Sequence, residues 1–140
     1  MNYTTGKYFL DTNFLIYLFS KDEPDKKAIC ENVFRVGKEN AVFTLSTQVI
    51  KEFTHVMLGK FKADPQFVKL VIEDLEGLEI VQIDTDLIKK TIDNHVLYRY
   101  SFWDSMIITA AHKANCSVLL TEDLQHGQRI NNLLIHNPFA

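Results

Sequence analysis

Cysteine is scarce in this chain, with two among 140 residues. Cys30 and Cys116 are isolated and lack metal-ligand spacing, so we expect reduced thiols and no disulfide framework. No apolar run approaches the roughly 18 residues that a membrane helix needs, and no signal peptide opens the chain. The sequence therefore predicts a cytoplasmic protein without a membrane segment.

Several familiar motifs are also missing. There is no GxGxxG and no P-loop, so a dinucleotide or nucleoside triphosphate site has no support. The five histidines are dispersed, and no serine or cysteine nucleophile signature lies near them. Positive charge is not in excess: the net charge of −3 argues weakly against coating nucleic acid. It does not exclude an enzyme that holds cations among its own acids and binds a polyanion through them.

The apolar pattern predicts a single α/β domain over residues 1–140. The hydrophobic fraction of 46% and the charged fraction of 24% are ordinary for a globular protein, and we find no repeat or linker. Buried strands are predicted at residues 8–10, 41–45, 78–83 and 117–120, with a fifth, shorter one at 133–136. Because one or two helices separate successive strands, we expect a parallel sheet of four to five strands covered on both faces.

Two acidic residues closely follow predicted buried strands. Asp11 comes directly after the first, and Asp123 comes after another, behind Thr121 and Glu122. Ligands of open α/β sheets gather beyond the carboxyl ends of the strands, where both acids should lie. A helix cap or a turn would also explain each residue alone, and Glu122 could be the working acid in place of Asp123.

Two further acids lie on predicted helices. Glu52 falls at the edge of an apolar stripe, beside Val49 and Val56, where an unpaired charge is costly to bury. It could instead turn to solvent or pair with a lysine. Asp104 lies in a helix that is apolar nearly all round and shares a face with aliphatic residues. A capping box with Ser101 is the alternative interpretation of Asp104.

One cleft could hold all four acids. Carboxylates that approach each other repel unless protonation or bound cations neutralise them. Hard oxygen ligands suit Mg²⁺ or Mn²⁺, and such ions can promote attack of water on a phosphodiester. Thr12, Asn13 and Thr121 are near enough in sequence to orient a carboxylate.

These motifs in this order resemble the PIN domain, and most of all the VapC-like ribonucleases of bacterial and archaeal toxin–antitoxin pairs. The likeness covers essentially the whole chain. It implies a three-layer α/β/α sandwich with a central parallel sheet and with Asp11, Glu52, Asp104 and Asp123 as the catalytic acids. The residues that carry it are Phe9-Leu10-Asp11-Thr12-Asn13, Glu52, Phe102-Trp103-Asp104, Leu119-Leu120-Thr121-Glu122-Asp123 and the closing Asn137-Pro138-Phe139.

The resemblance also implies an activity and partners. Members of the family cleave single-stranded or structured RNA with Mg²⁺ or Mn²⁺, commonly as homodimers, and a small antitoxin occludes the site in the toxin branch. Asp11, Asp104 and Asp123 would be the metal ligands, with Asp123 preferred to Glu122 because the family's fourth acid lies two residues after a Ser or Thr. Asn13 and Thr121 match its frequent polar helpers.

The leading hypothesis is therefore a metal-dependent endoribonuclease, the toxin of a type II toxin–antitoxin pair. A PIN protein that processes or binds RNA without being a toxin is the nearest alternative. A Mg²⁺-dependent phosphohydrolase with Asp11 as nucleophile is weakened, because Asn13 occupies the position where it usually needs a second acid. A catalytically idle RNA-binding or protein-docking module is least favoured, since the acid set is complete.

Overall fold

A computed structural model describes all 140 residues of the chain, which form six strands and six helices. Along the chain the elements are β1 (Gly6–Leu10), α1 (Thr12–Phe19), α2 (Pro24–Gly37), β2 (Ala41–Ser46), α3 (Thr47–Gly59), α4 (Pro65–Leu75), β3 (Glu79–Val81), α5 (Thr85–Tyr98), α6 (Phe102–Lys113), β4 (Val118–Leu120), β5 (Arg129–Ile130) and β6 (Leu133–His136).

The strands form one sheet in the order β3-β2-β1-β4-β6-β5. Every neighbouring pair is parallel except β5 and β6, which are antiparallel. The register pairs Leu10 of β1 with Leu120 of β4, so these central strands end side by side. The Asp11 backbone N–H donates to the Leu120 carbonyl at 3.2 Å and holds the two exits together.

The predicted parallel α/β sheet is confirmed, with one strand more than expected. The additional strand is β5, which has only two residues and pairs with β6 across a tight turn. Asn131 in that turn has a φ of 55°, in the left-handed region that Asn tolerates. Two residues are too few to show a period-two hydrophobic pattern, so nothing in the sequence indicated this strand.

The helices α3 and α6, which carry Glu52 and Asp104, form because their apolar residues are buried in the core. In α3, Val49, Phe53 and Met57 form the buried stripe, and all three are at most 3% exposed. In α6 the whole stretch of residues 105–111 is buried, which explains why this helix is apolar nearly all round. Both cysteines are buried free thiols. None of the helices combines the length and apolar character needed to cross a bilayer.

The end of α2 offers a test of this packing. A Cβ added to Gly37 would lie 2.7 Å from Cζ of Phe43 and 2.8 Å from the carbonyl oxygen of Tyr3. We expect Gly37→Ala to lower the free energy of unfolding by about 1–3 kcal/mol, measured by urea denaturation, because the added methyl overpacks the contact.

Gly59 provides the matched control, since it also ends a helix but has nothing within 4 Å of an added Cβ. Gly59→Ala should be neutral or stabilise the protein by up to about 1 kcal/mol, because alanine is the better helix former. Equal stability of the two variants would contradict the close packing of α2 against β2.

Candidate active site

The four acids predicted from the sequence line one cleft of about 510 Å³. Asp11 enters it from the end of β1 and Asp123 from the loop after β4, while Glu52 projects from α3 and Asp104 from the first turn of α6. The cleft therefore opens at the carboxyl ends of the two central strands. Three helices and two loops that are far apart in sequence contribute to it.

Asp11 is both a helix cap and a cleft residue. Its Oδ1 accepts the backbone N–H of Thr12 at 2.7 Å, and its Oδ2 accepts the Thr121 hydroxyl at 2.7 Å. Burial raises the pKa of Asp11 to about 6, and the nearby charges of Asp123 and Glu52 act in the same direction. The two hydrogen bonds favour the ionised form and oppose this shift only in part.

Glu52 turns into the cleft instead of toward solvent or a lysine. Its Oε2 accepts the Thr12 hydroxyl at 2.8 Å, and its Oε1 accepts Nε2 of Gln48 at 3.0 Å. Thr12 therefore bridges two acids, because its backbone N–H binds Asp11 while its hydroxyl binds Glu52. Both donors are neutral, so they fix the position of the Glu52 carboxylate without cancelling its charge.

Asp123 and Glu122 are adjacent, yet they have different surroundings. Asp123 accepts Nδ2 of Asn13 at 3.3 Å, and its backbone N–H donates to the Thr121 hydroxyl at 3.1 Å. Burial raises the pKa of Asp123, and the charges of Glu122, Asp104 and Glu52 raise it further. Asp123 therefore belongs electrostatically to the group of cleft acids.

Glu122 points away from that group, toward α2. Its Oε2 accepts Nζ of Lys26 at 2.8 Å, and its Oε1 accepts the hydroxyl of Tyr17. Burial opposes ionisation of Glu122, but these two bonds outweigh it and hold the pKa of the carboxyl below its ordinary value. Lys26 also lies 5.3 Å from the ring centroid of Phe139, which places Glu122 in a cluster with the chain end.

Asp104 begins α6 without completing a capping box. Ser101 Oγ accepts the backbone N–H of Asp104 at 3.1 Å, but the reciprocal bond from the Ser101 N–H to the Asp104 carboxylate is not made. The carboxylate takes part in none of the hydrogen bonds or salt bridges and faces the cleft beside Asp123. Capping accounts for Ser101 and leaves Asp104 free for another role.

The carboxylate oxygens of the cleft are ligands of the type that a hard cation binds, although the acids are not close enough to form a ready-made metal site. Asp11, Asp104 and Asp123 offer carboxylate oxygens, the ligands that Mg²⁺ and Mn²⁺ prefer. Burial is the largest cause of the raised pKa values of Asp11 and Asp123, and the repulsion that adds to it is what a cation would relieve. No three acidic side chains form a group that could hold an ion in this arrangement. Binding of a cation by all three would require their side chains to rotate toward a common point.

Four other residues of the cleft were not among the site residues predicted from the sequence. Gln48, Lys51 and His55 lie on α3 around Glu52, at offsets of minus four, minus one and plus three, and Trp103 precedes Asp104. The helical spacing around Glu52 was the available signal, because residues three and four apart share a face. The side-chain amide oxygen of Gln48 is buried and accepts no hydrogen bond. Leaving a buried acceptor without a partner costs roughly 1–3 kcal/mol of stability.

Comparison with known proteins identifies the family. Residues 8–129 match the sequence profile of the PIN domain. The chain therefore belongs to the PIN-domain family, as its acid motifs predicted. No curated protein matches it significantly.

Solved structures show the same fold in VapC toxins. A toxin–antitoxin complex from Klebsiella pneumoniae is 18% identical with a TM-score of 0.69, covering 94% of this chain and 97% of that one. VapBC2 from Rickettsia felis, bound to a DNA fragment from its promoter, is 20% identical with a TM-score of 0.65, covering 94% and 98%. Mycobacterium tuberculosis VapC20, a toxin that cleaves the sarcin–ricin loop, is 16% identical with a TM-score of 0.64, covering 83% and 91%.

The raised pKa of Asp11 predicts how stability depends on pH without metal. Because the folded pKa of about 6 exceeds the value of 3.8 expected for a free Asp, the fold binds this proton more tightly than the unfolded chain. Between about pH 4 and pH 6 the free energy of unfolding should therefore fall as pH rises, by up to about 3 kcal/mol through Asp11.

Asp11→Asn should flatten this decline in urea denaturation performed in EDTA from pH 4 to pH 7.5. Asp93→Asn is the control, because Asp93 is exposed on α5 outside the cleft and its loss should leave the pH profile as in wild type. Parallel profiles for wild type and Asp11→Asn would show that Asp11 carries no such cost.

Proposed function

We propose that this PIN-domain protein is a divalent-cation-dependent endoribonuclease that acts in the cytoplasm as the toxin of a type II toxin–antitoxin pair. The observation that carries the proposal is the convergence of Asp11, Glu52, Asp104 and Asp123 in one cleft with no salt bridge to any of them. Structure alone gains nothing from four unneutralised acids. A cation bound together with a phosphodiester supplies the missing positive charge.

The side chains divide the work of hydrolysis. Asp11 and Asp104, with Asp123 completing the set, would hold Mg²⁺ or Mn²⁺, which when bound supplies charge neutralisation and Lewis-acid stabilisation of phosphate oxygens. Glu52, fixed by Thr12 and Gln48, lies where it can orient the attacking water and accept its proton.

The proposed products follow from in-line attack on phosphorus. The water oxygen forms the new bond to phosphorus while the bond from phosphorus to the 3′ oxygen breaks. The 3′ oxygen leaves with a proton as a hydroxyl, and the phosphate stays on the 5′ end of the other fragment.

The toxin assignment and its partners rest on the structural neighbours. VapC20 of M. tuberculosis cleaves the sarcin–ricin loop, and the K. pneumoniae and R. felis proteins are in toxin–antitoxin complexes, as is VapBC-1 from Haemophilus influenzae, which is 24% identical with a TM-score of 0.60 over 96% of this chain. We extend to this chain an RNA substrate and a small antitoxin, and we propose a homodimer from the family resemblance alone.

Asp104→Asn should abolish cleavage while leaving the fold intact. We expect a loss of at least about 100-fold in the rate of cutting a mixed, end-labelled RNA pool in Mg²⁺ or Mn²⁺, because the metal site loses a charged ligand. EDTA should stop the wild type. Induced expression should arrest bacterial growth for the wild type and not for the variant if the nuclease is a toxin.

Asp93→Asn again provides the matched control and should cut at the wild-type rate. Thermal melting checks folding, and Asp104→Asn should melt at or above the wild-type temperature without metal, since one repelling charge is removed. Cleavage by Asp104→Asn at the wild-type rate would overturn the assignment. Cleavage without growth arrest would indicate an RNA-processing role.

Substitutions of the adjacent acids Glu122 and Asp123 should have different effects on the rate of RNA cleavage in the same assay. Asp123→Asn should lower cleavage at least about tenfold, because it removes a cleft carboxylate. Glu122→Gln should cut within a few-fold of wild type and lose about 1 kcal/mol of stability, because Lys26 loses its partly buried partner. The reverse pattern would show that Glu122 is the working acid.

A further inference from the structure

Trp103 is the only tryptophan of the chain and lines the same cleft as the four acids. It is 61% exposed, although the following turns of α6 are buried. A single exposed apolar residue on a surface is ordinary. This one differs because it stands at the wall of the acidic cleft, directly before Asp104.

The indole of Trp103 is exposed to solvent and contacts the ring of Phe102. Phe102 packs edge-on against it, with ring centroids 5.2 Å apart and planes at 80°. The Trp103 carbonyl accepts Nε2 of Gln48 at 3.5 Å, and the same amide donates to Glu52 at 3.0 Å. The backbone of Trp103 is thereby linked to one of the proposed catalytic acids. The indole has only two side-chain torsions, so its ordering by a ligand costs little conformational entropy.

The neighbouring helix α3 contributes cationic and hydrogen-bonding side chains to the same cleft. Lys51 and His55 lie one turn apart on α3, are exposed, and line the same cleft. Neither forms a salt bridge within the protein. The cleft is thus lined by one exposed aromatic ring, four acids and two side chains that can bind phosphate. Single-stranded nucleic acid presents the matching groups, which are an exposed base face and a charged backbone.

We propose that Trp103 is a stacking platform for one unpaired base next to the scissile phosphodiester, with Lys51 and His55 of the same cleft contacting the backbone. The identification of the ligand as RNA rests on the proposed nuclease function. Bases within a duplex are already stacked and paired and cannot lie flat on the indole. Trp103 therefore makes the cleft select unpaired RNA, and stacking makes this selection tolerant of base identity.

The tryptophan fluorescence of the protein reports directly on contacts of Trp103, because the chain has no other tryptophan. Asp104→Asn in Mg²⁺ and the wild type in EDTA are titrated with a short single-stranded oligoribonucleotide of mixed sequence and with the same strand annealed to its complement. We expect saturable quenching by the single strand and none by the duplex. Absence of quenching under both conditions would overturn the platform.

Cleavage kinetics provide the second measurement. Trp103→Ala should lower kcat/KM on single-stranded RNA by roughly 5- to 150-fold, the range that loss of one stacked base gives, mainly through KM. Trp103→Phe should restore it to within a few-fold, because a smaller ring still stacks. Phe67→Ala is the control: Phe67 is an aromatic residue of α4, 43% exposed and outside the cleft, and its loss should change nothing.

The outcomes separate this inference from the nuclease assignment. Cleavage by the wild type together with an unchanged kcat/KM for Trp103→Ala would overturn the platform and leave the nuclease standing. Quenching by single-stranded RNA without any cleavage would support the platform and overturn the nuclease. If Trp103→Ala instead turns a dimer into a monomer in sedimentation and RNA never quenches the indole, the residue is a contact between copies of the chain and the inference is wrong.

Discussion

The structure depends on holding several carboxylates of like charge together without neutralising them. Thr12 and Thr121 do this with their hydroxyls: the first links Glu52 to the end of β1, and the second links Asp11 to the loop after β4. A neutral donor fixes a carboxylate in place and leaves its charge available, whereas a lysine would fix it and cancel it. Burial raises the pKa of Asp11 most, and the neighbouring carboxylates Asp123 and Glu52 raise it further.

The sheet order makes this arrangement possible. β1 and β4 are neighbours although about a hundred residues separate them, and their register brings Leu10 beside Leu120. Parallel strands end at the same edge, so residues that follow them meet there. The packing of α3 and α6 into the core then brings Glu52 and Asp104 to the same opening.

Much of this site can be predicted from the sequence, because the patterns that indicate it span only a few neighbouring residues. Asp11 and Asp123 follow buried strands, and Glu52 stands at the edge of a buried stripe. The partners that fix them are not local: Thr12 reaches a residue forty positions away, and Glu122 leaves its strand end toward Lys26. Such directions depend on backbone dihedral angles and packing, which single-sequence patterns do not carry. The two-residue strand β5 was beyond prediction for the same reason.

Glu122 and Asp123 are adjacent acids with opposite electrostatic environments. Both follow the same strand, yet Lys26 and Tyr17 stabilise the charge of Glu122, while burial and other carboxylates destabilise the charge of Asp123. The neutralised acid has nothing to gain from a cation. The repelled acid gains most, because ion binding removes the repulsion from every member of the group at once. On the proposed function, affinity for a divalent ion would arise from this unfavourable charge, and the buried core must supply the stability that the charge removes.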